Sequence, residues 1–217
     1  MMLSRLTEHA EEISKLMSGL KKSLLKGNNF LRLAWVRNFV YNVSMICIPI
    51  VGPTQSKSLQ DITAAEPLAD ILELRLDLMS DYDLDALLAA SKKPCIVTNR
   101  TKREGGQFSG SEEERIGLLK QAMAAGAEYV DIETSTPKEL LKPFLESEHQ
   151  SKIILSYHNF TDTPEEIGHL YELMCAMPAD ILKIVTYARD ITDNVALFEL
   201  LHRSKKDDKK LIALCMG

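Results

Sequence analysis

The sequence predicts an α/β protein, a (β/α)8 TIM barrel incomplete at its C-terminal end, and three observations lead there. From Met45 onward, short apolar runs alternate with helix-length segments. Most of the runs are continuous rather than alternating, as expected for strands buried on both faces of a parallel sheet. The turn after the first run reads Gly52-Pro53-Thr54-Gln55, without the glycine-rich phosphate turn usual in a doubly wound sheet. Only seven runs occur before the chain stops, so about seven of the eight strands are expected.

The elements can be justified in order. Within residues 1–26, Leu3, Leu6, Ala10, Ile13, Met17, Leu20 and Leu24 recur at spacings of three and four, which makes one apolar helix face that Gly27 is placed to end. Residues 1–44 therefore read as an amphipathic helical extension. It is either a docking or dimerising helix, consistent with a homodimer, or a plain appendage upstream of Met45. Residues 45–217 read as the barrel domain, with strands at Ile46–Val51, Ile71–Asp77, Cys95–Asn99, Tyr129–Glu133, Ile153–Tyr157, Ile181–Thr186 and Leu211–Cys215. Helix starts are marked by Thr136-Pro137-Lys138-Glu139 and Thr163-Pro164-Glu165-Glu166, each with an N-cap, a proline at the first helical position and a closing glutamate. Ser111 and Glu114 make a third capping box, and Gly126 is the expected stop of that helix.

Composition narrows the classes of function. Residues 1–44 hold seven Lys/Arg against three Asp/Glu, and the remainder 19 against 28. An acidic body argues against nucleic acid as a partner, but not against an anionic small substrate met by a few arginines. Cys47, Cys95, Cys175 and Cys215 show no C-x-x-C spacing and fit reduced thiols in the cytoplasm. No apolar run approaches the roughly 20 residues of a membrane span, and no secretory signal is present.

Polar residues interrupt the strands where they should be apolar. In Ile71-Leu72-Glu73-Leu74-Arg75-Leu76-Asp77 the three charges share one face, because residues two apart on a strand point the same way. Alone, this could be the polar face of an edge strand. However, the next runs end in Thr98-Asn99-Arg100, Asp131-Ile132-Glu133 and Ser156-Tyr157-His158, and Lys183 lies within Ile181–Val185. In a barrel these strand ends converge on one mouth, where TIM-barrel active sites lie. A lysine in an apolar strand beside Arg75 and Arg100 is expected to have a depressed pKa and to attack ketones as a neutral amine. His158 can move protons, with Glu133 fixing its tautomer. The set suits proton abstraction beside a carbonyl and suits a metal poorly, since only one histidine reaches it.

These segments, in order, resemble type I 3-dehydroquinate dehydratase of the shikimate pathway. The resemblance is carried by Ile71–Asp77, Asn99-Arg100-Thr101-Lys102-Arg103-Glu104-Gly105-Gly106, Asp131-Ile132-Glu133, Ser156-Tyr157-His158-Asn159-Phe160 and Asp180-Ile181-Leu182-Lys183-Ile184. It implies that Lys183 forms an imine with the substrate ketone and that His158, oriented by Glu133, is the general acid and base. It further implies that Glu73, Arg75 and Arg100 bind the hydroxyls and carboxylate of 3-dehydroquinate, that Asp77 is structural, and that neither a metal nor a redox cofactor is needed. The Gly105-Gly106 loop would be a flexible crossing near the mouth. Family members continue past strand seven, some into a fused shikimate dehydrogenase, so a truncated barrel is expected here. Two other readings compete: a class I aldolase sharing the lysine, and a non-catalytic remnant that serves as an assembly partner.

Overall fold

The computed structural model describes residues 45–217, and the expected extension over residues 1–44 lies outside them. Each apolar run of the described residues forms a strand, and a helix separates it from the next. In chain order these are β1 (Cys47–Ile50), α1 (Gln55–Ala65), β2 (Ile71–Arg75), α2 (Leu84–Ala90), β3 (Cys95–Thr98), α3 (Glu112–Ala124) and β4 (Tyr129–Glu133). They continue with α4 (Lys138–Leu145), β5 (Lys152–His158), α5 (Ile167–Cys175), β6 (Ile181–Tyr187), α6 (Asp193–Lys206) and β7 (Leu211–Met216). The strands lie side by side in sequence order, and every neighbouring pair is parallel. The result is an open half-barrel, the incomplete (β/α) barrel expected, in which β1 and β7 are each paired on one side among the described residues.

The two faces of this sheet divide the sequence cleanly. Leu72, Leu74, Val97, Val130, Ile132, Ile153, Leu155, Leu182 and Ile184 point outward and form one core with Ile62, Leu87, Leu119, Phe144, Tyr171 and Leu197 from the helices. The alternate residues point inward. At the N-terminal end of the strands these are Ile71, Ile96, Ile154 and Ile181 with Tyr129, a separate apolar floor. One step further along, the inward row turns polar. Strand register aligns Glu133 with Ser156 and Ser156 with Lys183, and aligns Arg75 with Thr98 and Thr98 with Asp131. Ile212 of β7 lies level with Lys183 and is partly exposed.

Some helix starts follow the sequence signals and others depart from them. Ser111 and Glu114 form the full capping box at α3, and Gly126, at φ +90°, follows that helix in the left-handed region glycine tolerates. The other two boxes do not form. Thr136 Oγ1 instead donates to the Glu133 carbonyl at 2.7 Å, and α4 begins after Pro137 with no side-chain cap. Thr163 Oγ1 donates to Thr186 Oγ1 at 2.8 Å, and α5 begins only at Ile167. In both cases a nearby strand end competes for the hydroxyl and wins. All four cysteines are free thiols. Among the described residues no helix is long and apolar enough to cross a membrane.

Candidate active site

Lys183 reaches inward from the middle of β6. Its Nζ donates to Asp131 Oδ2 at 3.0 Å and stands 3.7 Å from Glu73 Oε1. Asp131, fully buried, is shared: it also takes Arg100 Nη2 at 2.9 Å and the Ser156 hydroxyl at 2.6 Å. Arg100 Nη1 in turn donates to Ser156 Oγ at 2.7 Å and lies 3.3 Å from Glu133 Oε1. Lysine, aspartate, arginine and glutamate thus form one continuous network across the end of β3, β4, β5 and β6, with Lys183 and Glu73 of β2 both partly exposed.

The electrostatics of Lys183 differ from the sequence expectation. Burial alone would push its pKa down, but Asp131 and Glu73 outweigh both burial and the cation Arg100, so the ammonium is favoured above its ordinary range. The expected neighbour Arg75 has its charge paired with Asp77, through Nε at 2.9 Å and Nη2 at 2.8 Å. The Asp77 side chain is buried and accepts the Gln107 N–H at 3.1 Å, and the residue lies within the short 3-10 turn Leu76–Leu78 that ends the strand two residues earlier than expected. Asp131 is held well below the usual carboxylate range: Arg100, Lys183, His158 and the Ser156 hydroxyl overcome the cost of burial.

His158, at the end of β5, is oriented by a residue other than the one expected. Its Nδ1 lies 3.0 Å from Glu104 Oε2. Glu104 is buried on the 3-10 turn Lys102–Glu104 that follows β3, and its other oxygen accepts the Ser135 hydroxyl. Burial pushes the His158 pKa down and Arg100 adds to this, against the pull of Glu104 and Asp131, so the ring favours its neutral form. Glu133 makes no hydrogen bond to His158. Its carboxylate faces Arg100 and Arg115, and it accepts the Thr101 N–H at 3.1 Å. The expectation that Glu133 fixes the histidine is therefore corrected. Inward alternation on β4 carries Glu133 toward the loop root, whereas the turn after β3 brings Glu104 to the ring.

The Gly105-Gly106 segment is a tight turn rather than a loose crossing. Gly105 sits at φ +79°, and a Cβ there would lie 2.2 Å from the Phe160 ring. A Cβ on Gly106 would lie 2.0 Å from the Arg100 carbonyl oxygen. Phe160 also stacks loosely on His158, with ring centroids 6.4 Å apart. Only glycine lets the chain pass so close to both, and that closeness fixes Glu104 against the histidine.

The structure brings together Lys183, Glu73, Arg100 and, through Glu104, His158. It sets Glu133 behind Arg100 and ties Arg75 to Asp77. Three residues given no role in the sequence now stand in the network. Glu104 lay inside a quoted motif, next to the glycines that shape its turn. Asp131 shares the inward face with Glu133 two positions later, which was the signal available. Arg115 sits on the buried stripe of α3 with Leu119 and Ala122, and an arginine three residues after Glu112 carries no sequence signal of burial. Among the described residues, no group of three or more His, Cys, Asp or Glu side chains is arranged to hold a metal ion.

Comparison with known proteins now bears on this geometry. The chain is 43% identical over 176 residues to the 3-dehydroquinate dehydratase of Dehalococcoides mccartyi, covering 79% of this chain and 75% of that protein. It is 36% identical over 188 residues to the bifunctional 3-dehydroquinate dehydratase/shikimate dehydrogenase of Arabidopsis thaliana, covering 83% of this chain and 31% of that one. Among solved structures, the 3-dehydroquinate dehydratase of Enterococcus faecalis superposes with a TM-score of 0.73 at 29% identity, covering 80% of this chain and 79% of that one. The type I 3-dehydroquinase family model matches residues 46–217, and the chain belongs to that family.

Proposed function

We propose that this protein dehydrates 3-dehydroquinate to 3-dehydroshikimate through an imine on Lys183, with His158 as the acid and base. The observation that carries the reading is Lys183 Nζ, 3.0 Å from Asp131 and 3.7 Å from Glu73, in the same inward face as a histidine held at 3.0 Å by Glu104. The resting ammonium must lose its proton before attack, and neutral His158 is the base of the site. Once water is lost from the carbinolamine, the lysine nitrogen is again cationic. The carboxylates that hold the ammonium then stabilise the iminium, which is the electron sink the next step needs.

His158 takes the proton from the carbon beside the iminium, and the C–H electron pair moves into an enamine. The enamine then expels the hydroxyl one carbon further on, and that oxygen leaves as water with the proton returned by His158. Hydrolysis of the remaining iminium frees Lys183 and the unsaturated ketone. Glu104, through Nδ1, keeps the other ring nitrogen aimed at the substrate. Glu73 and Arg75 are the substrate-facing polar groups, both partly exposed at the mouth. Arg100 supplies a fixed positive charge beside the reacting groups, and the engagement of its Nη1 by Ser156 and Glu133 and its Nη2 by Asp131 makes direct contact with the substrate carboxylate a lesser part of its role. A lysine alone would serve an aldolase equally well; the His158–Glu104 pair favours proton removal and return.

The test is the intact mass of the protein after incubation with 3-dehydroquinate and borohydride, followed by peptide mapping. One reduced adduct on Lys183 is expected, and none in Lys183→Ala. A folded wild-type chain that gives no adduct, or an adduct elsewhere, overturns the reading.

A further inference from the structure

We propose that Arg115 of α3 is a positioning residue for the reacting groups, acting through Glu133 on Arg100 and on the root of the loop that carries Glu104. The inference deepens the reading above and takes Lys183 and His158 as the reacting pair.

Arg115 lies on the helix side of the sheet and is completely buried, an unusual place for a guanidinium unless every donor is engaged. Its Nη1 donates to Glu133 Oε2, its Nη2 to Thr136 Oγ1 at 2.6 Å, and Nη2 and Nε both meet Glu112 Oε2, at 2.7 and 3.1 Å. Glu133 has two oxygens and divides them. One belongs to Arg115. The other accepts the Thr101 N–H and faces Arg100. Those two neighbours begin the segment that turns at Gly105 and delivers Glu104 to His158, while the Arg100 guanidinium grips Asp131, which holds Lys183. Every step from α3 to both reacting side chains is a direct polar contact.

The charge balance shows why the arginine is needed. The charged groups facing Glu133 are Arg115 from α3, Arg100 from the end of β3, and Asp131 from its own strand. The neighbouring strand β5 offers neutral Ser156 at the paired position. Glu104 and Asp131 also draw on Arg100. Burial pushes the Glu133 carboxyl upward, against Arg100, Arg115 and the Thr101 N–H. Without Arg115, one arginine would be left to serve both buried acids of β4, and Glu133 would take up a proton more readily as the pH falls. A neutral Glu133 grips Arg100 and the loop root less strongly.

The experiment compares wild type, Arg115→Met, Glu133→Gln and the double variant by infrared spectroscopy and by kcat/KM against pH. In Arg115→Met a protonated-carboxyl band is expected to persist to higher pH than in wild type; it should fade as the pH rises and be absent from the double variant. In the same variant kcat/KM should fall by about tenfold and gain an acid limb that follows the band. Glu133→Gln should lower activity without that limb, and adding Arg115→Met to it should change nothing further. The absence of the band, a profile of wild-type shape merely scaled down, or effects that multiply in the double variant would overturn the proposal. If Arg115→Met does not fold, Arg115→Lys in the two Glu133 backgrounds decides the same coupling. A wild-type chain with no turnover sinks the dehydratase reading instead, while the band still decides whether Arg115 governs Glu133.

Discussion

Asp131 and Ile132 are adjacent on β4, equally buried, and face opposite sides of one sheet. Ile132 points to the helices and meets only apolar neighbours, so its burial stabilises the fold by the hydrophobic effect, on the order of 2–3 kcal/mol for such a side chain. Asp131 points into the half-barrel and loses its hydration. Lys183, Arg100 and Ser156 offset that cost only together. The outer face repeats this apolar choice at the alternate positions of β2 to β6, with Thr186 at the end of β6 the exception. The inner face makes it at the isoleucine floor and again at Val185, and is otherwise polar toward the C-terminal ends of the strands. Stability and chemistry are thus separated by a single residue along each strand. The polar side depends on partners from several strands, and the apolar side on packing alone.

Asp131→Asn is the substitution that should break the comparison most severely. The amide can still accept from Ser156, but it leaves two buried cations with one fewer counter-charge. The expected cost is about 3–5 kcal/mol in unfolding free energy. Lys183 loses its largest attractive partner, so the pH midpoint of imine trapping should move down. The stability profile carries a second sign. Asp131 is held below its ordinary value of 3.8, so its contribution is present above that pH and is lost as pH falls through the folded value. Lys183 is held above 10.5, so its contribution is present below that pH and lost as pH rises beyond it. Urea titrations across pH should therefore show both edges softened in the variant. An unchanged trapping midpoint would refute the account of Lys183.

Ile132→Ala removes the same strand's outward neighbour and should affect stability alone. A cavity at a fully buried site costs about 2–5 kcal/mol, read from the urea midpoint. Imine formation per folded molecule should keep its wild-type pH dependence. If that dependence moved with the cavity, the two faces would be mechanically coupled and the division drawn between them would fail.

How far this division was legible in the sequence depends on which face a residue serves. The outer face announced itself, because continuous apolar runs of strand length have few alternatives. All seven runs are strands, with no end shifted by more than two residues. The inner face was half legible. Lys183 and His158 stood out as charges in apolar surroundings, and they do meet on one face. Their partners did not stand out. Glu104 reaches His158 only because the Gly105-Gly106 turn folds back against Phe160 and Arg100, a geometry that strand alternation does not encode. The pKa of Lys183 was expected to fall through burial in an apolar strand and through the cations Arg75 and Arg100 at converging strand ends. Asp77 captures Arg75, and carboxylates from two other strands take its place. Arg115 was least legible, since a helix of three glutamates and an arginine looks solvated until the arginine is seen on the buried stripe.

The smallest expected effect falls on the one helix start whose capping box formed in full. Ser111 Oγ accepts the Glu114 N–H at 3.1 Å, and Glu114 Oε2 accepts the Ser111 N–H at 2.7 Å. Ser111→Ala should cost about 1 kcal/mol in unfolding free energy. The first turn of α3 also carries Arg115, so the substitution asks what fixes that arginine. Its four donor contacts to Glu112, Thr136 and Glu133 lie deeper than the cap and do not pass through Ser111. Activity against pH should therefore keep its wild-type shape while the thermal midpoint drops by a few degrees. An added acid limb in Ser111→Ala, like the one expected for Arg115→Met, would mean that the cap sets the register of Arg115. The outer helix would then reach the reacting lysine through backbone order as well as through charge.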